Sequence, residues 1–440
     1  MRINLQNFGP IKSAKDICLS RMTVFAGKSS TGKSYLSIVM NSAVNAGLTS
    51  NHHKATEKIS NVTIDNVEQI VEKMIYDWID CVRSRWRDQI ISFLGYDGTN
   101  ILSSKDMSVK FISNNEDIVF DLKDSSNDRV SVKFIKELTK EIADVLPRFS
   151  LFDRNIFIND IAKPLHKNFI RELYGKNFDL NCVLPSCRGT VMKNYKSITL
   201  SSVNNNSASN NHDLFEKMPG HFVEFTKELT NMPKIETGIS EIHAINKVYE
   251  NEILKGKIDV DFSKDGLVSF RYFIPESDYD MPISNVSESV SSLAPLSIFM
   301  RYYLEYNSLL LLEDPEINLH PSMQRKICNI MAMLCDAGVS VISTTNSDCF
   351  LAQLSNSIRA GEFDNIKNAQ RILGKNGQML NIKDVCVYSF DKQSEKGGTI
   401  VEEIKYDRLN GYFPEGNSKN ANELYDQTAS LINGRSNELQ

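Results

Sequence analysis

A chain of 440 residues with 41% hydrophobic and 24% charged residues has the make-up of an ordinary globular protein, which excludes a disordered or fibrous chain. The length allows one domain with an elaborate insertion, or two domains. A formal net charge of −5 argues against a generally polyanion-binding surface, so any contact with nucleic acid is expected to depend on a local patch. The eight cysteines lack metal-type spacing: the closest pair, Cys182 and Cys187, has four residues between, too wide for a CxxC ligand pair, and free thiols are expected. The opening MRINLQNFGP lacks the apolar stretch of a signal peptide, and no apolar run approaches the length of a bilayer span. The chain is therefore expected in the cytoplasm, with no membrane partner.

RINLQNF and DICLSRMTVFAG read as short strands, the second ending at a glycine and running into GKSSTGKS, Gly27 to Ser34. After it, SYLSIVMNSAVNAG carries apolar residues at helical spacing. Strand, glycine loop and helix in that order give the match to GxxxxGK[ST] its weight. Gly27 and Gly32 permit backbone conformations and a close approach that a side chain would forbid. The loop through Lys28, Ser29, Ser30 and Thr31, with the helix start at Lys33, Ser34 and Tyr35, offers amide donors and positive potential to phosphate oxygens. Lys33 is expected to reach the β and γ phosphates of a nucleotide, and the Ser34 hydroxyl to ligate Mg²⁺.

The middle of the chain opens on NVEQIVEKMIYDWIDCVRSRWRDQIISFLG, apolar mostly at helical spacing, and continues in SVKFIS, DIVFDL and RVSVKFI, which read as strands. Within the helix, Arg83, Arg85, Arg87 and Trp86 have the chemistry to touch a nucleic-acid backbone and stack on a base; the plainer reading is a solvated edge with Trp86 turned to the core. SSVNNNSASNNHD, Ser201 to Asp213, is a loop by composition. EKMPGHFVEFTKELTNM reads as a helix, and KIDVDFSKDGLVSFRYFI as a hairpin turning at Asp-Gly. With no long heptad run, a short helical arm is expected rather than an extended coiled coil.

In SLLLLEDPEINLHP the uncharged run Ser308 to Leu312 reads as a buried strand that ends in three carboxylates within four positions. Bare carboxylates at the end of a buried strand are costly unless a cation meets them. A nucleotide in the Gly27 loop supplies that cation as Mg²⁺, which makes Glu313 the expected metal ligand, directly or through water, and Asp314 the group that orients and deprotonates the attacking water. HPSMQRKICNIMAMLCDAG, with proline near its start and glycine after its end, reads as the next helix. VCVYSF and TIVEEIKYD read as late strands and NANELYDQTASLIN as a closing helix.

Taken together, QNFGPIKSA with MTVFAGKSSTGKSYL, NCVLPSCRGT with its Pro185, Arg188 and Gly189, SNVSESVSSLAPLSIFMRYYL, LLLLEDPEINLHP and VISTTNSDCFLAQLSN resemble, in order, the landmarks of the ABC-type ATPase heads of the RecF, SMC and OLD group, the AAA_15 or AAA_21 ATPases. The resemblance implies an α/β fold: a P-loop ABC-type head, a mixed sheet flanked by helices, with a mainly helical inserted arm or lid. Residues 1–47 and 257–440 would be the lobes of the head and 48–256 the insertion. It also implies ATP as the nucleotide, and two heads that sandwich it, each loop facing the partner's serine-rich signature, where Ser289 and Ser291 are the candidates.

Three positions depart from the family. Asp314 stands where a glutamate is usual, one methylene shorter; Asn346 replaces the switch histidine and cannot take up a proton near neutral pH; Ser292 replaces the signature glutamate. Slow hydrolysis is therefore expected. Stand-alone members of this group are frequently ATPase subunits of anti-phage systems of PARIS, Septu or retron type, paired with a nuclease or toxin. The chain after Asp384 is too short for the Toprim nuclease of OLD-type fusions, so an effector is expected on another chain. A RecF-like clamp on duplex DNA and a hydrolysis-deficient scaffold are the competing readings.

Overall fold

The computed structural model describes residues 1–49, 66–144, 154–176, 178–205, 220–262, 268–275, 277, 279–374, 376–395, 397–412 and 426–427. Its strands are β1 (Arg2–Phe8), β2 (Ile11–Cys18), β3 (Met22–Ala26), β4 (Ser108–Ile112), β5 (Ile118–Asp121), β6 (Arg129–Val130), β7 (Leu180–Leu184), β8 (Lys257–Phe262), β9 (Val268–Ile274), β10 (Tyr279–Pro282), β11 (Ser308–Glu313), β12 (Ser340–Thr345), β13 (Val385–Gln393) and β14 (Thr399–Glu403). The α-helices are α1 (Lys33–Thr49), α2 (Val67–Leu94), α3 (Tyr96–Ser103), α4 (Val132–Ala143), α5 (Arg154–Tyr174), α6 (Arg188–Asn205), α7 (Gly220–Thr230), α8 (Ser240–Tyr249), α9 (Glu288–Tyr302), α10 (Pro321–Asp336), α11 (Asp348–Gly361) and α12 (Ile366–Leu373).

Eleven strands form one mixed sheet in the order β6-β5-β4-β1-β2-β14-β13-β3-β12-β11-β7. The half from β13 to β7 is parallel, and the half from β6 to β2 is an antiparallel run. β14 joins them, parallel to β2 and antiparallel to β13. The α/β class and mixed sheet flanked by helices expected from the sequence are thus observed. Residues 48–256 contribute β4, β5, β6 and β7 to this same sheet, in addition to their helices. β8, β9 and β10 make a separate antiparallel sheet, the first two being the strands of the expected hairpin, whose turn lies outside the described residues.

β3, β11 and β12 are buried at every residue, because the parallel half is covered on both faces. Alternate residues of one strand serve opposite faces: Leu309 and Leu311 join the core built on α1 and α2, while Leu310 and Leu312 join the one built on α9, α10 and α11. Full burial of a leucine is worth about 1.5–3 kcal/mol. Four in a row therefore outweigh the several kcal/mol that one enclosed carboxylate costs, and the strand can carry Glu313 inside at 2% exposure.

α2 buries Val67, Val71, Trp78, Val82, Trp86 and Ile90 on one stripe. Trp86 Nε1 donates to the carbonyl of Val39 in α1 at 2.9 Å, so this indole packs in the core. Arg83 pairs with Asp80 and Asp128 and donates from Nε to the carbonyl of Asp121, pinning α2 to β5. Two of the four residues with nucleic-acid chemistry are thus committed to packing, while Arg85 is exposed.

The strand read into RVSVKFI stops at Val130. Ser131 Oγ accepts from Phe134 N at 3.1 Å and caps α4, whose buried Phe134, Ile135, Leu138 and Ile142 follow helical spacing. A serine between two valines mimicked strand alternation, and its capping bond decides the matter. α6 runs on to Asn205, into the stretch expected as a loop. The rest of that stretch, and the closing helix apart from Asp426 and Gln427, lie outside the described residues. No helix among the described residues is long and apolar enough to cross a membrane.

In α7, Oε2 of Glu228 is enclosed without a hydrogen-bond partner among the described residues. Burial, and then the charge of Glu224, hold its pKa well above the ordinary glutamate value. With the folded pKa raised, the stability it contributes is full below the unfolded pKa of about 4.3 and is lost as pH rises through the folded value. Glu228→Gln is accordingly expected to stabilise the protein at pH 8 by about 1 kcal/mol or more. The gain should shrink toward pH 5, as read from urea midpoints at the two pH values.

Candidate functional site

Unshifted parallel pairing brings the site together. Ala26 of β3 lies opposite Thr345 of β12, and Glu313 of β11 opposite Thr344, so the segments after all three strands leave the sheet at the same end. The loop after β3 turns through positive φ at Gly27 (136°), Ser30 (63°) and Gly32 (102°). A Cβ on Gly32 would lie 2.8 Å from Ile11 Cγ1 and 2.9 Å from Pro10 Cγ, so the turn closes only with glycine there. Thr31 Oγ1 donates to the Lys28 carbonyl at 2.8 Å, and Lys28 N donates to Asp391 Oδ1 of β13 at 3.2 Å.

The folded loop encloses the ammonium of Lys33. It donates to the carbonyls of Gly27 and Lys28 and to Asn346 Oδ1, each at 2.7 Å. Burial lowers its pKa, against the raising influence of Asp314, Glu316 and Asp391. Beside it opens a cavity of about 460 Å³ whose wall includes Ser29, Ser30, Gly32, Lys33, Ser34, Tyr35, Asp314, Thr344 and Asn346. Eight of the residues expected from the sequence therefore share one wall. Gly27, Lys28 and Thr31 shape the loop behind it.

The two carboxylates at the end of β11 part company. Asp314, at φ 42°, turns into the cavity; its amide donates to Thr344 O at 3.2 Å and Thr344 Oγ1 at 3.1 Å. Burial, and then Glu313, raise its pKa, while Lys33 and Arg188 work against them. Glu313 faces elsewhere: Oε2 accepts from Ser186 N at 3.2 Å, and Oε1 is enclosed without a partner among the described residues. The orphaned Glu313 oxygen, one residue before Asp314, and the Ser34 hydroxyl of the cavity wall are oxygen donors of the kind a hard divalent cation takes. Among the described residues no three acidic, histidine or cysteine side chains converge on a metal, so such an ion would need phosphate oxygens to complete its shell.

Arg188, at the start of α6 and 2% exposed, ties these segments together. Its guanidinium donates to the carbonyls of Pro185 (3.1 Å), Ser292 (2.8 Å), Glu313 (2.6 Å) and Asp314 (3.1 Å). Gly189 permits the approach, since a Cβ there would sit 2.5 Å from Ser292 Oγ. The PxxRxG segment is thus the bracket between β7, β11 and α9. Its landmark residues were visible in the sequence, its four acceptors were not. Thr344 lies in the VISTTNSD landmark without being singled out by it, and Asp391 carries no sequence signal of its own.

The serines at the start of α9 do not line this cavity. Ser287 is the N-cap, accepting from Val290 N at 3.4 Å, and Ser289 Oγ donates to Asn318 O at 2.8 Å near the surface. Ser291 is fully buried, with its hydroxyl turned back to the Glu288 carbonyl at 3.0 Å. Of the two candidates, only Ser289 lies where another molecule can reach it.

The family profile described as AAA_15, AAA ATPase domain, matches residues 1–351. No curated protein matches the chain. Among solved structures, an SMC head bound to the C-winged helix domain of ScpA is 9% identical, with a TM-score of 0.37 over 93% of this chain and 98% of that one. An SMC head with an extended coiled coil, bound to the C-terminal domain of ScpA and derived from Pyrococcus furiosus, is 10% identical, with a TM-score of 0.34 over 97% and 98% of the two chains.

Removing the guanidinium would take a donor from four carbonyls, of which those of Pro185 and Asp314 keep the backbone amides of Arg188 and Ile317, and would release the bracket between β7, β11 and α9. Arg188→Ala is expected to destabilise the fold by about 3–5 kcal/mol, and Arg188→Lys by less, as measured by chemical denaturation.

Proposed function

The chain belongs to the AAA ATPase domain family, and from that premise we propose that it binds ATP with Mg²⁺ on the Gly27–Ser34 loop and hydrolyses it slowly, as a nucleotide-gated sensor or scaffold for a partner effector. The observation that carries the reading is the single cavity on which Lys33, Ser34, Asp314 and Asn346 converge.

Each side chain has a task there. The loop amides and Lys33 bind the phosphates, with Lys33 exchanging its present carbonyl and amide partners for phosphate oxygens. Ser34, with Glu313 directly or through water, would hold Mg²⁺, which when bound offsets charge on the phosphates. Asp314 faces the cavity with a raised pKa and accepts the proton of an attacking water. Its side chain reaches one methylene less far than a glutamate, which supports slow turnover. Asn346 can donate a hydrogen bond to the terminal phosphate without exchanging a proton.

A second copy of the chain is the proposed partner across the nucleotide, offering Ser289 at the exposed start of its α9. Residues 48–256 are read as the insertion between the head lobes 1–47 and 257–440, with β4–β7 built into the head sheet. The effector, a nuclease or toxin in anti-phage defence, is supported by the family resemblance.

ATP turnover and solution mass of the wild type, Lys33→Ala and Asp314→Ala test this. Turnover is expected to fall by about 10²-fold or more in both variants. Asp314→Ala should accumulate a dimer in ATP, and Lys33→Ala should remain as it is without nucleotide. Stimulation by duplex DNA would favour the RecF-like clamp instead, and a wild type no faster than Asp314→Ala would favour the scaffold.

A further inference from the structure

We propose that Glu316 is a positioning residue for hydrolysis: it fixes the end of β12 so that the Asn346 side chain is presented to the nucleotide. The proposal rests on the reading of the Lys33 cavity as an ATP site.

Glu316 lies two residues past Asp314 and is 9% exposed. Its Oε1 accepts from two donors adjacent in the chain, Thr345 Oγ1 at 2.6 Å and Asn346 N at 2.7 Å. Thr345 Oγ1 in turn accepts from the amide of Ser347, at 3.0 Å, and Ser347 caps α11. One carboxylate oxygen therefore holds the main chain of Asn346 and the hydroxyl that orders the residue after it. Beyond that anchor, the Asn346 side chain accepts from Lys33 Nζ at 2.7 Å and donates to Ser29 Oγ at 3.4 Å. Glu316 stands behind the cavity wall and acts through Asn346.

Two converging donors are the arrangement in which an anionic acceptor exceeds a neutral one. The other oxygen, Oε2, is enclosed with no partner among the described residues. A buried oxygen left unpaired is costly, so the carboxylate is held in this place by what Oε1 does. Neighbouring negative charge adds to that cost: Asp314 is among the groups raising the Glu316 pKa, after burial itself. Lys33 is the cation facing this group.

The test is kcat and KM for ATP, with ATP-binding stoichiometry to count competent sites, in Glu316→Ala and Glu316→Gln, each alone and combined with Asn346→Ala. Glu316→Ala is expected to lower kcat per binding site by about tenfold or more while KM changes by less than about threefold. Glu316→Gln, which keeps an acceptor oxygen in place, should recover most of the loss. In the Asn346→Ala background neither substitution should lower kcat further. Losses that multiply in the double variants would overturn the route through Asn346. So would an unchanged kcat per binding site with fewer competent sites, which a purely structural role predicts. Should Glu316→Ala fail to fold, the smaller fall in Glu316→Gln, of about two- to fivefold, must still vanish with Asn346→Ala. A Lys33→Ala protein with wild-type turnover would remove the ATP-site reading itself, an outcome separate from the double-variant result.

Discussion

Because β3, β11 and β12 are parallel and paired without a shift, whatever follows each of them has to emerge at one end of the sheet. Three segments, Gly27–Lys33 and, 280 or more positions later in the chain, Glu313–Glu316 and Thr345–Asn346, are thereby forced into hydrogen-bond distance. The leucines of β11 and the fully buried β12 make that pairing hard to slip, since a displacement by one residue would exchange the two faces of the core. The site inherits its geometry from the core.

What the core imposes is a charge problem. Glu313, Asp314 and Glu316 meet Lys33 and Arg188, three potential negative charges against two positive ones in a region where all five are largely enclosed. Burial raises Asp314 and Glu316 and lowers Lys33, so each group is held away from its comfortable charged state. Arg188 spends its donors on main-chain carbonyls rather than on the carboxylates, which stiffens the frame and leaves the carboxylates under-compensated. In the proposed ATP site, that excess of negative charge is what a divalent cation would offset.

The parts of this arrangement that are local in sequence could be read in advance. GKSSTGKS declares its loop because the glycines, the lysine and the serine act within eight residues, and SLLLLED declares a buried acidic strand end for the same reason. Which carboxylate would face the cavity could not be read, since that depends on the φ of Asp314 and on Thr344, a residue of another strand. Asp391 reaches the loop from 363 positions away, and nothing around it hints at the contact. RSRWRDQ has a composition that suits a phosphate backbone equally well, and only the tertiary partners Val39, Asp121 and Asp128 show that Trp86 and Arg83 are occupied. Ser131 and Ser291 carry the same lesson in small: a serine's role follows from which backbone group its hydroxyl meets.

The ammonium of Lys33 has three donors, and all three are engaged by oxygens of the protein. In the proposed ATP site, arriving phosphates would therefore replace partners at this residue instead of adding to them, and the favourable part of the exchange would be the difference between an anionic acceptor and a carbonyl or amide. One of the displaced partners is the Asn346 side chain. Once Lys33 lets go, Asn346 keeps its main-chain bond to Glu316, and in the proposed function its side-chain NH₂, which now donates to Ser29 Oγ, would turn to the terminal phosphate. A histidine in that place would bring a titratable group to the switch; an asparagine brings a donor whose state does not depend on pH near neutrality. Such a contact would report whether a terminal phosphate is present more readily than it would move a proton, which is what the proposed gate requires of it.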